Sequence, residues 1–143
     1  MIEGDYQGME NIKYLELWQI RGLSDIGVIS SLMGLQRLVL QSLRQVTALP
    51  SFNRLGKLRH ISLQNMRGLE DVSSLEYAPA LEEFSHGSAQ NMQPEDYIPL
   101  LRNPNLKRAA VWFGSDKKNN RFNEIMQEHS VEPWQEFKEF EFV

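Results

Sequence analysis

An apolar pattern that returns every 23 residues constrains this chain more than any other feature. Ile12, Leu35, Leu58 and Leu81 open four phrases at that interval, and Leu106 opens a fifth after two extra residues. Within each phrase the apolar side chains keep the same offsets. The first runs Ile12, Leu15, Leu17, Ile20, Leu23, Ile26, Ile29, Leu32, and the second Leu35, Leu38, Leu40, Leu43, Val46, Leu49, Phe52, Leu55. The third runs Leu58, Ile61, Leu63, Met66, Leu69, Val72, Leu75, Ala78. The fourth is weaker, placing His86 and Glu95 among Leu81, Phe84, Ala89, Met92, Ile98 and Leu101. Of these 32 slots 30 are apolar; at a 41% hydrophobic content, chance alone fills about 13.

The offsets dictate local structure. The x-Leu-x-Leu-x centre of each phrase alternates with the period of a strand, so Leu15 and Leu17 face inward while Tyr14, Glu16 and Trp18 face outward. Offsets 8 and 11 turn the chain, and offsets 14, 17 and 20 return it in short helical turns. Asp25, Thr47 and Asp71 are placed to cap those turns, and Pro50 and Pro79 discourage longer helices. One phrase alone leaves its leucines half covered, so the unit is stable only in an array. Strands are predicted near 14–18, 37–41, 60–64, 83–87 and 108–112, side by side in a parallel sheet.

The spacing L-x-x-L-x-L-x-x-L-x-x-L, sustained from Ile12 to about Val111, resembles the leucine-rich repeat, whose unit of ~20–29 residues contains this period. The resemblance implies an α/β solenoid: a horseshoe arc with a parallel β-sheet on its concave face and short helical turns on its convex side. One slot departs from the commonest form of the family. Where Asn or Cys usually bridges successive coils, this chain has Ile20, Leu43, Met66 and Ala89. The side-chain ladder is therefore expected to be missing, with packing and backbone bonds holding the turns. The segments Gly22-Leu23-Ser24-Asp25 and Gly68-Leu69-Glu70-Asp71 are similar to the turns of irregular bacterial-type repeats.

Three regions follow: residues 1–11 as a partial repeat or small cap, 12–113 as the repeats, and 114–143 as a C-terminal cap and tail. The cap is predicted as a polar loop, Gly114 to Asn120, then a helix from Asn120 to about His129 with Phe122, Ile125 and Met126 on one face. An aromatic, acidic tail carries Trp134, Phe137, Phe140 and Phe142, read as core-packing rather than ligand-binding. The N-terminal end lacks a comparable cap. Either residues 1–11 close it, a second copy docks there as a homodimer, or the chain is one piece of a longer solenoid.

For function, the resemblance implies a module that binds a protein partner through the concave strand face. Outward positions fall into three rows: Tyr14, Arg37, His60, Glu83, Arg108; Glu16, Val39, Ser62, Ser85, Ala110; and Trp18, Gln41, Gln64, Gly87, Trp112. Aromatic and Arg side chains dominate binding hot spots, which singles out Tyr14, Glu16, Trp18, Arg37, Gln41, His60, Gln64, Glu83, Arg108 and Trp112. Trp112 either faces the partner or lies under the cap. A bacterial immunity or inhibitor protein against a toxin or enzyme is the first alternative, since an acidic surface can fill a basic cleft. A fragment or self-assembling subunit of a larger repeat protein is the second.

Other classes find little support. The chain has no cysteine and a net charge of −4, which removes disulfide scaffolds and Cys-based zinc sites and leaves no basic face for nucleic acid. No apolar run approaches the ~18 residues of a membrane span, and the start of the chain lacks the basic and apolar regions of a secretory signal, so a cytoplasmic location is expected. No cofactor or metal-ligand spacing stands out, and Gly114-Ser115-Asp116-Lys117 lacks the frame of a phosphate loop. His86 fills a leucine slot and reads as an interior histidine. His60, Ser62 and Glu83 can be drawn as a triad, but Ser62 sits on a regular strand without a strained elbow. The chain is therefore not expected to be an enzyme.

Overall fold

A computed structural model describes residues 11–134 and 140–143. The expected arrangement of residues 1–11, including docking of a second copy there, falls almost wholly outside the described residues, as does Phe137. Among the described residues six strands form one sheet in sequence order: β1 (Tyr14–Trp18), β2 (Arg37–Gln41), β3 (His60–Gln64), β4 (Glu83–Gly87), β5 (Arg108–Val111) and β6 (Glu132–Pro133). Every neighbouring pair is parallel. Parallel neighbours need long crossovers, and the 23-residue interval supplies them. The register follows that interval: Leu17 pairs with Leu40, Leu40 with Leu63, and Leu63 with His86.

The inward face is the core. Leu38, Leu40, Ile61, Leu63, Phe84 and Ala109 are fully or almost fully buried, and burying a Leu or Phe side chain contributes roughly 1.5–3 kcal/mol. The first phrase is less covered, because β1 has a neighbour on one side only among the described residues. Leu15 and Leu17 are half-buried, and Ile20, Val28 and Met33 are exposed. The return segments include 3-10 turns at Gly27–Ser31, Ser73–Tyr77 and Pro94–Tyr97, the last running into α1 (Ile98–Leu101). Asp25 and Asp71 each accept from the backbone N–H two residues on, at 2.8 Å. No side-chain bond of this kind is seen for Thr47, whose carbonyl instead accepts from Glu70 and Asp71.

Strand ends repeat as regularly as the core. Gln19, Ser42, Asn65 and Ser88, one per phrase, hold left-handed φ angles of 51°, 54°, 53° and 55°. The N–H groups of Gln19, Ser42 and Asn65 then donate to the carbonyls of Gln41, Gln64 and Gly87 at 2.9–3.0 Å. Here the expected absence of side-chain bridges is corrected. The polar links sit just before the predicted slot: Asn65 Nδ2 donates to Ser42 Oγ at 3.2 Å, both one place before it, and Gln64 Nε2, two places before it, donates to Ser88 Oγ at 3.2 Å. Asn91 and buried Asn103 add links of their own, each donating to two backbone carbonyls of the third phrase. Gly68 is required by close approach, since a Cβ there would strike the Arg44 carbonyl.

The C-terminal helix α2 (Asp116–Glu128) begins four residues before the expected Asn120. The segment taken as loop contains its start signal: Ser115 accepts from the Lys118 N–H, and Asp116 stands in the positive first turn. Phe122, Ile125 and Met126 are buried as the spacing requires. Phe122 completes a cluster with Tyr97 and Phe113, each pair of rings 5.7 Å apart. Among the described residues no helix is long and apolar enough to cross a membrane.

Candidate functional site

The face of the sheet opposite the core carries the predicted rows in register. Tyr14 pairs with Arg37, Arg37 with His60, His60 with Glu83, and Glu83 with Arg108. Glu16, Val39, Ser62, Ser85 and Ala110 form the next row, and Trp18, Gln41, Gln64 and Gly87 the third. Trp112 follows β5 at the end of that third row. These rows have unequal fates, because the chain returns over one of them.

Trp134 and the segment 140–143 lie against the first row. The ring of His60 meets Trp134 edge-on at 5.0 Å and Phe140 at 5.7 Å. Phe140 also receives the Arg59 guanidinium at 4.5 Å and that of Arg37 at 5.9 Å, distances at which a cation is attracted to a ring face. Phe142 meets Phe140 edge-on at 4.8 Å and reaches Tyr14 at 6.1 Å. Backbone recognition accompanies these rings. The Gln36 amide donates to the Val143 carbonyl at 2.8 Å and accepts from the Val143 N–H at 2.9 Å, while Arg59 donates to the Glu141 carbonyl at 2.6 Å.

His60 therefore differs from the expectation of an exposed anchor: it is only 3% exposed. Burial, aided by the Arg37 charge, pushes its pKa down to about 4, and the opposing Glu83 carboxylate, 3.7 Å from Nδ1, does not restore it. Desolvation wins because the rings of Trp134 and Phe140 replace water around the imidazole. Glu83 itself is held by Arg108 at 3.1 Å. Arg37 is half-buried beneath the tail and stacks on Tyr14 at 5.3 Å, and the Tyr14 hydroxyl donates to Glu16 at 3.0 Å.

The third row is bare. Trp18 is 57% exposed and Trp112 60% exposed, so Trp112 lies on the open face rather than under α2. Gln41 is half-buried and Gln64 exposed between them, and the Gln64 side chain folds against Gly87, where a Cβ would collide with it. In the middle row the Ser85 hydroxyl donates to Ser62 at 3.0 Å. Ser62 thus turns to its neighbour rather than to His60, and no Ser-His-Glu relay is assembled. Among the described residues no group of three or more His, Asp or Glu is placed to hold a metal ion.

Two important residues escaped the sequence reasoning. Gln36 and Arg59 stand just before their strands, outside the alternating outward positions. A signal was present nonetheless: Lys13, Gln36, Arg59 and Glu82 are polar at 23-residue intervals, and Lys107 continues them after the two-residue insertion. This column borders an open groove of about 740 Å³, lined among others by Gln36, Arg59, Glu82, Lys107 and Val143. No protein-family model matches the chain, and no curated protein is significantly similar to it.

Proposed function

We propose that the chain is a leucine-rich-repeat solenoid whose strand face binds a protein partner without turning over a substrate. The resemblance rests on the 23-residue phrases, and parallel strands in sequence order with that offset in register support it. The binding reading is carried by one observation: two tryptophans, Trp18 and Trp112, stand largely in water at opposite ends of one row of a rigid sheet. Leaving a Trp exposed forgoes a large burial free energy, and between the two lie amide side chains and Gly87, which let a partner approach closely. Four strand spacings separate the two ends, about 19 Å, a span suited to a protein surface rather than a small metabolite.

The test is affinity capture from the source cell with the full chain, followed by the variant Trp18→Ala/Trp112→Ala. The reading expects the captured partner to be lost by roughly tenfold or more, as for hot-spot aromatics, with the melting temperature unchanged. Capture that is indifferent to both substitutions contradicts it.

A further inference from the structure

We propose that the place now held by Phe140–Val143 is a peptide-binding seat, and that the chain's own tail is a tethered stand-in for an extended segment of the protein partner. The inference rests on the reading that this face binds protein, and it names the chemistry that one part of the face accepts. The segment it fits has two aromatic side chains two residues apart, an acidic residue between them and an aliphatic residue after.

Three features of the seat carry the argument. It reads main chain: Gln36 engages both the N–H and the carbonyl of Val143, and Arg59 engages the Glu141 carbonyl. Bonds to backbone groups at alternate residues suit any extended peptide, whatever its side chains. The seat also reads aromatic rings, with Phe140 set against Arg59, Arg37 and the edge of His60, and Phe142 against Tyr14. Finally, its charge is complementary, since the guanidinium groups of Arg37 and Arg59 border a segment whose intervening residue, Glu141, is acidic and exposed. The groove beside Val143 is also lined by Glu82 and Lys107, so a partner segment that fills it gains contacts with them in addition to those made by Phe140–Val143. That difference is what lets a partner displace a competitor tethered at an effective concentration of about millimolar.

The experiment uses a fluorescein-labelled peptide, Glu-Phe-Glu-Phe-Val, and fluorescence anisotropy with the full-length chain. Phe140→Ala/Phe142→Ala weakens the tail's hold, and this variant is expected to bind the peptide roughly tenfold more tightly than the unaltered chain, because the intramolecular competitor is removed. Adding Gln36→Ala and Arg59→Ala is expected to abolish that binding, and a peptide with both Phe replaced by Ala is expected not to bind. Should the double variant fail to fold by circular dichroism, Phe142→Ala alone serves, since Phe142 is already 45% exposed. Equal affinity for altered and unaltered chains, or no binding to the altered one, overturns the proposal. So does a dimer by light scattering that dissociates on Phe140→Ala, because the occupant is then the tail of a second copy. If the peptide fails to bind while Trp18→Ala/Trp112→Ala still loses the captured partner, the seat is wrong and the wider reading stands. Peptide binding with capture indifferent to the tryptophans means the reverse.

Discussion

The two outer rows of the sheet stand on the same strands, four residues or about 13 Å apart, and meet opposite environments. The row from Tyr14 to Arg108 is roofed in its middle by Trp134 and Phe140, so His60 is dry and its pKa falls to about 4. The row from Trp18 to Trp112 has no such roof among the described residues, and its tryptophans are 57% and 60% exposed. Strand alternation treats the rows alike. What separates them is a contact more than 70 residues distant in sequence, and the difference teaches that a repeat fixes which side chains face outward but not which of them solvent reaches.

Changes beneath both rows are expected to have the largest effect. Leu40 and Leu63 are buried below them, and Leu40→Ala is expected to cost about 2–5 kcal/mol by chemical denaturation, the range for leucine cavities. A cost under 1 kcal/mol would mean that the rows do not share a packed base.

Acid comes next and separates the two buried histidines. His86 has a pKa pushed to about 4 by burial, and His60 matches it for the reason given above. Folded pKa values below the ordinary 6.5 mean that the unfolded chain binds more protons between pH 6.5 and 4. The stability these histidines contribute is therefore full above pH 6.5 and lost as pH falls toward 4, by on the order of 3 kcal/mol for each. In Phe140→Ala the share from His60 is expected to shrink while that from His86 persists, measured as the slope of stability against pH. Identical slopes would deny the roof any role.

A third, smaller effect isolates His86. Its Nδ1 lies 2.6 Å from the Tyr97 hydroxyl. With His86 neutral and burial raising the pKa of Tyr97, the hydroxyl donates to the ring. His86→Leu restores the aliphatic slot but strands the hydroxyl, at a cost of about 1–3 kcal/mol. His86→Leu/Tyr97→Phe removes both partners and is expected to recover most of that loss in a double-mutant cycle. Additive losses would refute the pairing.

The smallest effect belongs to the bare row. Trp18→Ala is expected to change stability by no more than about 0.5 kcal/mol, as for surface substitutions generally, so any loss of partner binding reports on binding alone. A larger thermal shift would place Trp18 in the structural core.

Strands β1 to β5, their register and the inward leucines are legible because each depends on neighbours within one phrase or at one fixed interval, whereas β6 (Glu132–Pro133) lies outside the repeating pattern and is not. Phe122, Ile125 and Met126 were legible for the same reason, as a helical stripe. The start of α2 was misread because Gly114-Ser115-Asp116 is equally good loop and cap chemistry until Ser115 is seen to accept from Lys118. His60 was misplaced because nothing near it in sequence announces Trp134 and Phe140. Gln36 and Arg59 were overlooked because they precede the alternating stretch, although their 23-residue spacing was visible.

Titration of the His60 imidazole by NMR in the full-length chain tests the roofed-row claim most directly. A midpoint near pH 4 is the predicted result, rising toward 6.5 in Phe140→Ala. A midpoint near 6.5 in the unaltered chain would put that ring in water and contradict the claim that the chain covers one row of its own sheet.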